Sequence, residues 1–283
     1  MSKVDLHLHS TASDGRLSPA EVVRKSAEAG LNFIALCDHD TVDGIPLALE
    51  AAQKFPSLTV IPGVEINTDV AAGEAHILGY FIDYHHPGLL ASLANLRNSR
   101  LDRAQRMITK LRDLGLDITW EQVKEIAGDG SIGRPHIARA LQEKGYINSF
   151  EEAFNKYIGW GGPAYVQREK IAPAEATQLI LRANGLPVLA HPLTLTNPKA
   201  MIAELKSNGL AGIEAYYNGY SPEEIKGLVR LADKYSLIVT GGTDYHGLST
   251  RNETTIGGVD VPLESAEKLM AMAKQQPVRS NMP

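Results

Sequence analysis

Short apolar runs alternate along most of the chain with longer segments whose apolar residues recur at helical spacing. Short apolar runs bounded by turn-forming residues are typical of buried strands, and the longer periodic segments are typical of amphipathic helices. The pattern predicts seven strands, at 4–8, 33–37, 59–64, 76–80, 187–190, 211–215 and 237–240. It predicts helices at 19–30, 45–55, 174–183, 199–208, 223–235 and 265–274.

The alternation of strands and helices predicts the fold class. Repeated βα units imply a parallel sheet, and no glycine-rich dinucleotide fingerprint follows the first strand, so we favour an α/β barrel over an open sheet. A mostly helical stretch from 89 to 157 interrupts the alternation after the fourth strand. We therefore predict a barrel formed by residues 1–88 and 164–283, with a helical insertion at 89–163 that caps the substrate site.

The composition is that of a globular protein, with 283 residues of which 43% are hydrophobic and 22% are charged. The net charge of −5 argues against non-specific coating of nucleic acid, so any phosphate affinity must be local. Cys37 is the only cysteine, no apolar run is long enough to span a membrane, and the first residues lack the features of a signal peptide. We expect a cytoplasmic protein without membrane contact or an obligate protein partner.

Histidines and carboxylates recur where the predicted strands end. They are His7, His9, Asp38, His39, Glu65, His76, His191, Glu214, Asp244 and His246. A lone histidine is more often a packed or surface residue, but the ends of barrel strands meet on one face, so these side chains are expected to share a cavity. Imidazole and carboxylate ligands suit Mn²⁺, Zn²⁺ or Fe²⁺, and this set exceeds what one ion coordinates. The sequence therefore predicts a site for more than one divalent metal ion.

Five short motifs carry a family resemblance. They are His-Leu-His-Ser at 7–10, Asp-His-Asp at 38–40, Gly-Val-Glu at 63–65, Ala-His-Pro at 190–192 and Thr-Asp-Tyr-His at 243–246. Together they span almost the entire chain and resemble the motifs of the polymerase and histidinol phosphatase (PHP) family. The insertion is most similar to that of the bacterial nucleoside 3',5'-bisphosphate phosphatase branch. The resemblance implies a distorted seven-stranded barrel and a phosphoesterase with two or three divalent ions, Mn²⁺ foremost and Zn²⁺, Fe²⁺ or Mg²⁺ as alternatives.

The resemblance also implies how the metal ligands divide. One ion would be held by His7, His9, Glu65 and Asp244, and a second, bridged by Glu65, by His76 and His191. A third would use His39, His246 and a residue of the loop after His9. Many relatives have a histidine in that loop, whereas this chain offers Asp14. A carboxylate is a chemically harder ligand than imidazole, so the third site is expected to bind softer metal ions less well. The alternative role of Asp14 is that of a turn residue before a glycine.

Residues of the predicted insertion are candidates for substrate contact. Arg134 and His136 precede a helix predicted at 137–144, and a helix N-terminus attracts anions. Arg134 can grip phosphate oxygens through two donors, and His136 can donate a hydrogen bond or a proton to the leaving oxygen, so both are candidate catalytic and substrate-binding residues. The alternative is that Arg134 and Pro135 simply begin a surface helix.

Weaker substrate candidates lie elsewhere. Arg100 and Arg103 belong to a row of arginines spaced three apart, which a solvated helix face explains equally well. Asn218 follows the sixth predicted strand, where it can bond to a nucleoside or pack against the protein.

The chain lacks a Gly-x-Ser-x-Gly elbow with a plausible triad, and Cys37 lies in an apolar strand, so a metal-activated water is the expected nucleophile. The resemblance implies a phosphomonoesterase that removes the 3'-phosphate of a small nucleotide, for example converting adenosine 3',5'-bisphosphate to AMP and phosphate. One alternative is 5'-to-3' exonuclease activity, for which the substrate would be short RNA or DNA. The other is a histidinol-phosphatase-like activity. A non-enzymatic PHP module is disfavoured because the ligands are retained.

Overall fold

The computed structural model describes residues 3–70, 73–128, 132–167, 171–247 and 255–275. Its seven strands form one sheet in chain order. They are β1 (Val4–Leu8), β2 (Phe33–Leu36), β3 (Thr59–Val70), β4 (Gly73–Tyr80), β5 (Leu186–Leu189), β6 (Gly212–Tyr217) and β7 (Ile238–Gly242).

The last strand returns to the first and nearly closes the barrel. Leu8 and Tyr245 form a parallel bridge, and the backbone nitrogen of His9 donates to the carbonyl oxygen of Tyr245 at 3.1 Å. Gly242 permits this approach, because a Cβ at that position would lie 2.5 Å from the Cβ of His7. The predicted seven-stranded α/β barrel is confirmed.

The prediction of a wholly parallel sheet is wrong at β4, which runs antiparallel to both β3 and β5. The other neighbouring pairs are parallel. Only residues 71 and 72 separate β3 from β4, and so short a connection can join antiparallel strands but not parallel ones. The reversed strand consequently places its first half, which includes His76, at the face where the parallel strands end.

The helices cover the outside of the barrel and form the insertion. They are α1 (Pro19–Glu28), α2 (Ile45–Ala52), α3 (Pro87–Asp113), α4 (Trp120–Ala127), α5 (Arg134–Glu143), α6 (Phe150–Ala153), α7 (Pro173–Arg182), α8 (Pro198–Ser207), α9 (Pro222–Lys234) and α10 (Leu263–Gln275). A π-helical turn (Phe154–Ile158) continues α6, and a 3-10 turn (Pro192–Thr194) follows β5.

Local signals explain where two of these helices begin. Ser18 and Glu21 form the expected capping box at the start of α1, with proline in the first turn. Helix α5 starts at Arg134, three residues before the predicted start at 137. Pro135 suits a first helical turn, and the ring of His136 accepts a hydrogen bond from the backbone of Gly133 at 2.9 Å. His136 is therefore part of the helix, not of the loop before it.

The long helix α3 connects two hydrophobic cores. Leu89, Leu93 and Leu96 in its first half are buried against the barrel, in a cluster with β3, β4 and β5. Its second half, from Ala104 onwards, belongs to a separate cluster of buried residues that extends to Val166. The division of the chain at residues 89 and 163 stays a prediction, but the second core lies mostly within that stretch. Among the described helices, none is long and apolar enough to cross a membrane.

Candidate metal centre

The nine predicted metal ligands lie together at one end of the barrel. Most come from the last residues of a strand or from the loop that follows it, whereas Glu65 lies within β3 and His76 within the reversed β4. Their side chains are buried or nearly so. The described residues contain three groups with the composition and spacing of metal sites. His9, His39 and Glu65 each belong to two of these groups.

The first group consists of His7, His9, Glu65 and Asp244. The Nε2 atoms of both histidines lie 3.3 Å from Oε2 of Glu65, and 3.3 and 3.0 Å from Oδ1 of Asp244. These four atoms are buried and make no hydrogen bond. Ligand bonds of about 2.1 Å separate neighbouring ligands by about 3.0–3.4 Å, so the four atoms fit one divalent ion. A buried set of unpaired donor atoms is costly unless an ion completes it.

Glu65 also belongs to the second group, with His39 and His76, and His191 lies next to that group without being part of it. Oε1 lies 2.9 Å from Nδ1 of His76 and 3.2 Å from Nε2 of His191. Oε2 also lies 2.9 Å from Nδ1 of His39. The two carboxylate oxygens thus face different sets of imidazoles, which is the arrangement that a carboxylate bridging two ions requires.

Asp14 lies with the third group, which contains His9, His39 and His246. Its Oδ1 is 3.3 Å from Nε2 of His246, and its Oδ2 is 4.0 Å from Nε2 of His39. The Asp14 carboxylate is buried, and Oδ1 has no hydrogen-bond partner. This placement favours the predicted ligand role of Asp14 over a role confined to the turn.

The charges of the site balance one another. Burial alone raises the pKa of a carboxyl group, but the imidazoles hold the pKa values of Asp14, Glu65 and Asp244 well below the usual range. Burial lowers the pKa of an imidazole, but Glu65 raises that of His76 to about 9 and Asp14 raises that of His246 to about 10. The carboxylates are therefore ionised at neutral pH and attract positive charge, which divalent ions would supply.

Buried carboxylates behind the ligands hold them in place. Glu214 lies 3.0 Å from Nδ1 of His7 through one oxygen and accepts from the backbone of His191 at 2.8 Å through the other. Because Nε2 of His7 faces the first group, this contact assigns the proton of His7 to Nδ1. Asp244 and His191 have positive φ angles of 52° and 28°, a conformation that such contacts stabilise at functional sites.

Two further buried aspartates order the loops of the site. Asp38 accepts from the backbone and hydroxyl of Ser10, both at 2.7 Å, and from Ser13 at 2.6 Å, so it fixes the loop that carries Asp14. Asp5 accepts from the backbone and hydroxyl of Thr243, beside Asp244. Sequence reasoning assigned no role to Asp5, although a carboxylate in the middle of an apolar strand is a signal for a buried hydrogen-bond acceptor.

An anion pocket adjoins the metal centre. His39, His76 and Asp14 form one side, and arginines from α3 and α5 form the other. Arg100 and Arg103 are 9% and 8% exposed, and the Nη2 atom of each is buried without a hydrogen-bond partner. Both predicted substrate contacts from α3 therefore lie in the pocket, whereas Arg106, next in the row, is exposed.

Arg134 and His136 occupy different sides of α5. Arg134 lines the anion pocket and is bonded to Glu74 at 2.7 Å, whereas His136 lines a second groove with Arg16 and Arg139. Nδ1 of His136 accepts from the backbone of Gly133, so Nε2 carries the proton, and burial lowers the pKa of the ring. A neutral imidazole donates a hydrogen bond readily but is a weak acid, which favours hydrogen bonding over proton donation.

Asn218 lines neither of these two depressions in the described part of the chain and stays a prediction. Its neighbour Tyr217 instead contacts the metal centre, because its hydroxyl donates to Oδ2 of Asp244 at 2.9 Å.

Comparison with known proteins identifies the family of the chain. The PHP domain family matches residues 5–160. A 5'-3' exoribonuclease of Haemophilus influenzae is 37% identical over 248 residues, which cover 86% of this chain and 90% of the relative. A 3',5'-nucleoside bisphosphate phosphatase of Chromobacterium violaceum is 31% identical over 251 residues, covering 87% and 88% of the two chains. The crystal structure of a candidate metal-dependent phosphoesterase from Bifidobacterium adolescentis superimposes with a TM-score of 0.87 at 28% identity, covering 95% of this chain and 96% of that one.

The fold, the ligand cluster and these relatives define a metal-dependent hydrolase of phosphoric esters. The chain belongs to the PHP family. The predicted family and enzyme class are thereby confirmed.

Proposed function

We propose that this protein hydrolyses the 3'-phosphate of nucleoside 3',5'-bisphosphates, with Mn²⁺ as its ion. The observation that carries the proposal is that the metal centre and the anion pocket lie next to each other. The metal centre and the anion pocket share a wall formed by His39, His76 and Asp14. A small molecule with two phosphoryl groups fits this arrangement, with the 3'-phosphate at the metal centre and the 5'-phosphate at the arginines.

The anion pocket is suited to a terminal phosphate. The unpaired Nη2 atoms of Arg100 and Arg103 can each donate a charge-assisted hydrogen bond. Asp40 fixes Arg100 through Nε at 2.7 Å, and the carbonyl oxygen of Val166 fixes Arg103 at 2.8 Å, so the donors are already oriented. Holding the second phosphate in this way positions the ester to be cleaved, which lowers the entropic part of the barrier.

Bound metal ions would supply a water of lowered pKa and positive charge for the phosphoryl oxygens. The protein's own part is to hold the ligands, to exclude bulk water and to orient the ester. Glu214 holds His7 and His191, and Asp38 fixes the loop of Asp14. Arg134 would compensate charge at the substrate, in keeping with its place in the pocket.

Removal of 5'-nucleotides from short RNA is the second candidate function. The observation in its favour is the groove of Arg16, His136 and Arg139, which also reaches Asp14 and so adjoins the metal centre. A longer substrate could leave the metal centre along this groove. The two relatives' names support both candidates, since a 5'-phosphorylated RNA also presents a 5'-phosphate and a 3'-phosphoester on one ribose.

A product assay with Mn²⁺-loaded protein tests the proposal. Adenosine 3',5'-bisphosphate, adenosine 3'-monophosphate and a 5'-phosphorylated RNA tetramer would be compared for release of phosphate or AMP. We expect the highest kcat/KM for the bisphosphate and a much lower value for the 3'-monophosphate, which cannot use the anion pocket. A higher kcat/KM for the tetramer would favour the exonuclease, and no turnover of any of the three would refute both.

A further inference from the structure

The anion pocket contains a carboxylate of its own. Glu74, on β4, contacts Nη2 of Arg134 at 2.7 Å and lies 3.6 Å from Nη1 of Arg103. The same carboxylate is 3.7 Å from Nε2 of His76, at the edge of the metal centre. Its side chain is only 17% exposed, so solvent screens these charges poorly. A negative group therefore already stands between the two arginines that an incoming phosphate would contact.

We propose that Glu74 is an internal competitor for the anion, which an incoming phosphoryl group must displace from Arg134 and Arg103. A carboxylate and a phosphate both use paired oxygens to accept hydrogen bonds from guanidinium groups, so they compete for the same donors. They also repel each other at short distance in a poorly hydrated pocket. The nitrogens Nη2 of Arg100 and Arg103 supply donors that Glu74 does not use, so the phosphate has a place to begin binding.

The displacement makes the pocket selective. A single small anion gains only the arginine contacts and must still separate Glu74 from Arg134. A substrate that is also held at the metal centre has a second source of binding energy, and its two ends are coupled by a short linker. Because every anion meets the same displacement cost, Glu74 keeps weakly bound phosphate and sulfate from occupying the pocket, whereas a molecule held at both places still binds. It also weakens retention of a product that has lost its contact with the metal centre. This second consequence rests on the proposed function, whereas the competition itself does not.

Sulfate binding tests the competition without turnover. Sulfate is a tetrahedral dianion over the whole neutral range, so its charge does not change with the variant or the buffer. Its Kd would be measured by isothermal titration on the full-length, Mn²⁺-loaded protein and on Glu74→Gln, which keeps the shape of the side chain. We expect the variant to bind sulfate about tenfold more tightly, because Arg134 and Arg103 no longer have to be separated from a carboxylate. Equal or weaker binding would overturn the inference and make Glu74 a support for the arginines.

Two further variants assign the effect to the pocket. In an Arg134→Gln background the gain from Glu74→Gln should shrink several-fold, since the pair to be separated no longer exists. A full gain without Arg134 would also overturn the inference. Glu28→Gln is the matched control, because it removes a carboxylate that pairs with Arg24 at 2.6 Å on the exposed surface of α1. Sulfate affinity should be unchanged in this control, and thermal unfolding should show that all variants are folded.

Discussion

Replacing Glu214 by glutamine is expected to loosen the metal centre although the side chain keeps its shape. Glu214 is completely buried on β6. One oxygen faces Nδ1 of His7 at 3.0 Å and the other accepts from the backbone of His191 at 2.8 Å. Both partners present an N–H, and a carboxylate can accept from both. An amide has one oxygen, so in either orientation its NH₂ group faces a donor.

The magnitude follows from that mismatch. A buried donor without a partner costs about 1–3 kcal/mol, and loss of the charge weakens the remaining bond. Replacing a carboxylate that orients a metal-binding histidine typically lowers metal affinity or activity by about 10–100-fold. We therefore expect Glu214→Gln to unfold at lower temperature and to lose kcat/KM and metal affinity by about 10–100-fold.

Metal quantification on protein dialysed against a fixed Mn²⁺ concentration, paired with phosphate release and thermal unfolding, measures these effects. Glu224→Gln is the control, since this exposed glutamate caps α9 through Ser221 and lies away from the site. We expect it to lower the unfolding temperature only slightly and to leave metal content unchanged. If Glu214→Gln binds Mn²⁺ as tightly as the unaltered protein and unfolds at the same temperature, the positioning role of Glu214 is wrong.

Further outcomes concern the metals, the pocket and pH. Chelation should abolish phosphate release and Mn²⁺ should restore it, so full turnover by rigorously metal-free protein would contradict the class of mechanism. Arg103→Ala should raise KM for the bisphosphate at least about tenfold by removing a charge-assisted hydrogen bond, but should affect adenosine 3'-monophosphate much less, as steady-state kinetics would show. Asp14→Asn should lower the metal content by up to one ion per chain, because an amide is a weaker ligand, and elemental analysis would detect it. In metal-free protein the pKa values of His76 and His246 are raised to about 9 and about 10. Protonation of these rings stabilises the fold fully below about pH 6.5, and the stabilisation is lost as pH rises through the raised pKa values, so the unfolding temperature should fall between about pH 6.5 and 10. An unfolding temperature that rises there would contradict the assigned charges.

The sequence predicted the barrel because its strands are buried and apolar. Periodicity located six of the seven strands to within a few residues. It did not show that β3 continues to Val70, since the residues beyond Ile66 are mostly polar, and buried polar residues such as Asn67 and Thr68 leave no apolar pattern. Nor did it show that β4 is reversed, because a hairpin and a parallel crossover differ in connection length, not in the apolar pattern.

The ligands were predictable for a related reason. A strand end fixes where a side chain points, so His7, His9 and His191 could be placed on one face from their positions alone. Contacts between the insertion and the barrel could not be placed in this way. The pairing of Arg100 with Asp40, and that of Arg134 with Glu74, depends on how α3 and α5 lie over the barrel. No local pattern records that packing.

The reversed strand links the two parts of the site. Glu74 and His76 are two residues apart on β4, so their side chains share one face of the sheet and their Cα atoms are about 6–7 Å apart. His76 faces Glu65 and the metal centre, and Glu74 faces the arginines. Both residues are paired with β3, His76 with Asn67 and Glu74 with Asp69, and a strand held in such a ladder changes length very little. The separation of the metal centre from the anion pocket is therefore set by rigid backbone. Under the proposed function, the protein selects phosphates joined by one ribose because β4 fixes that distance, while the oriented arginines complete the fit.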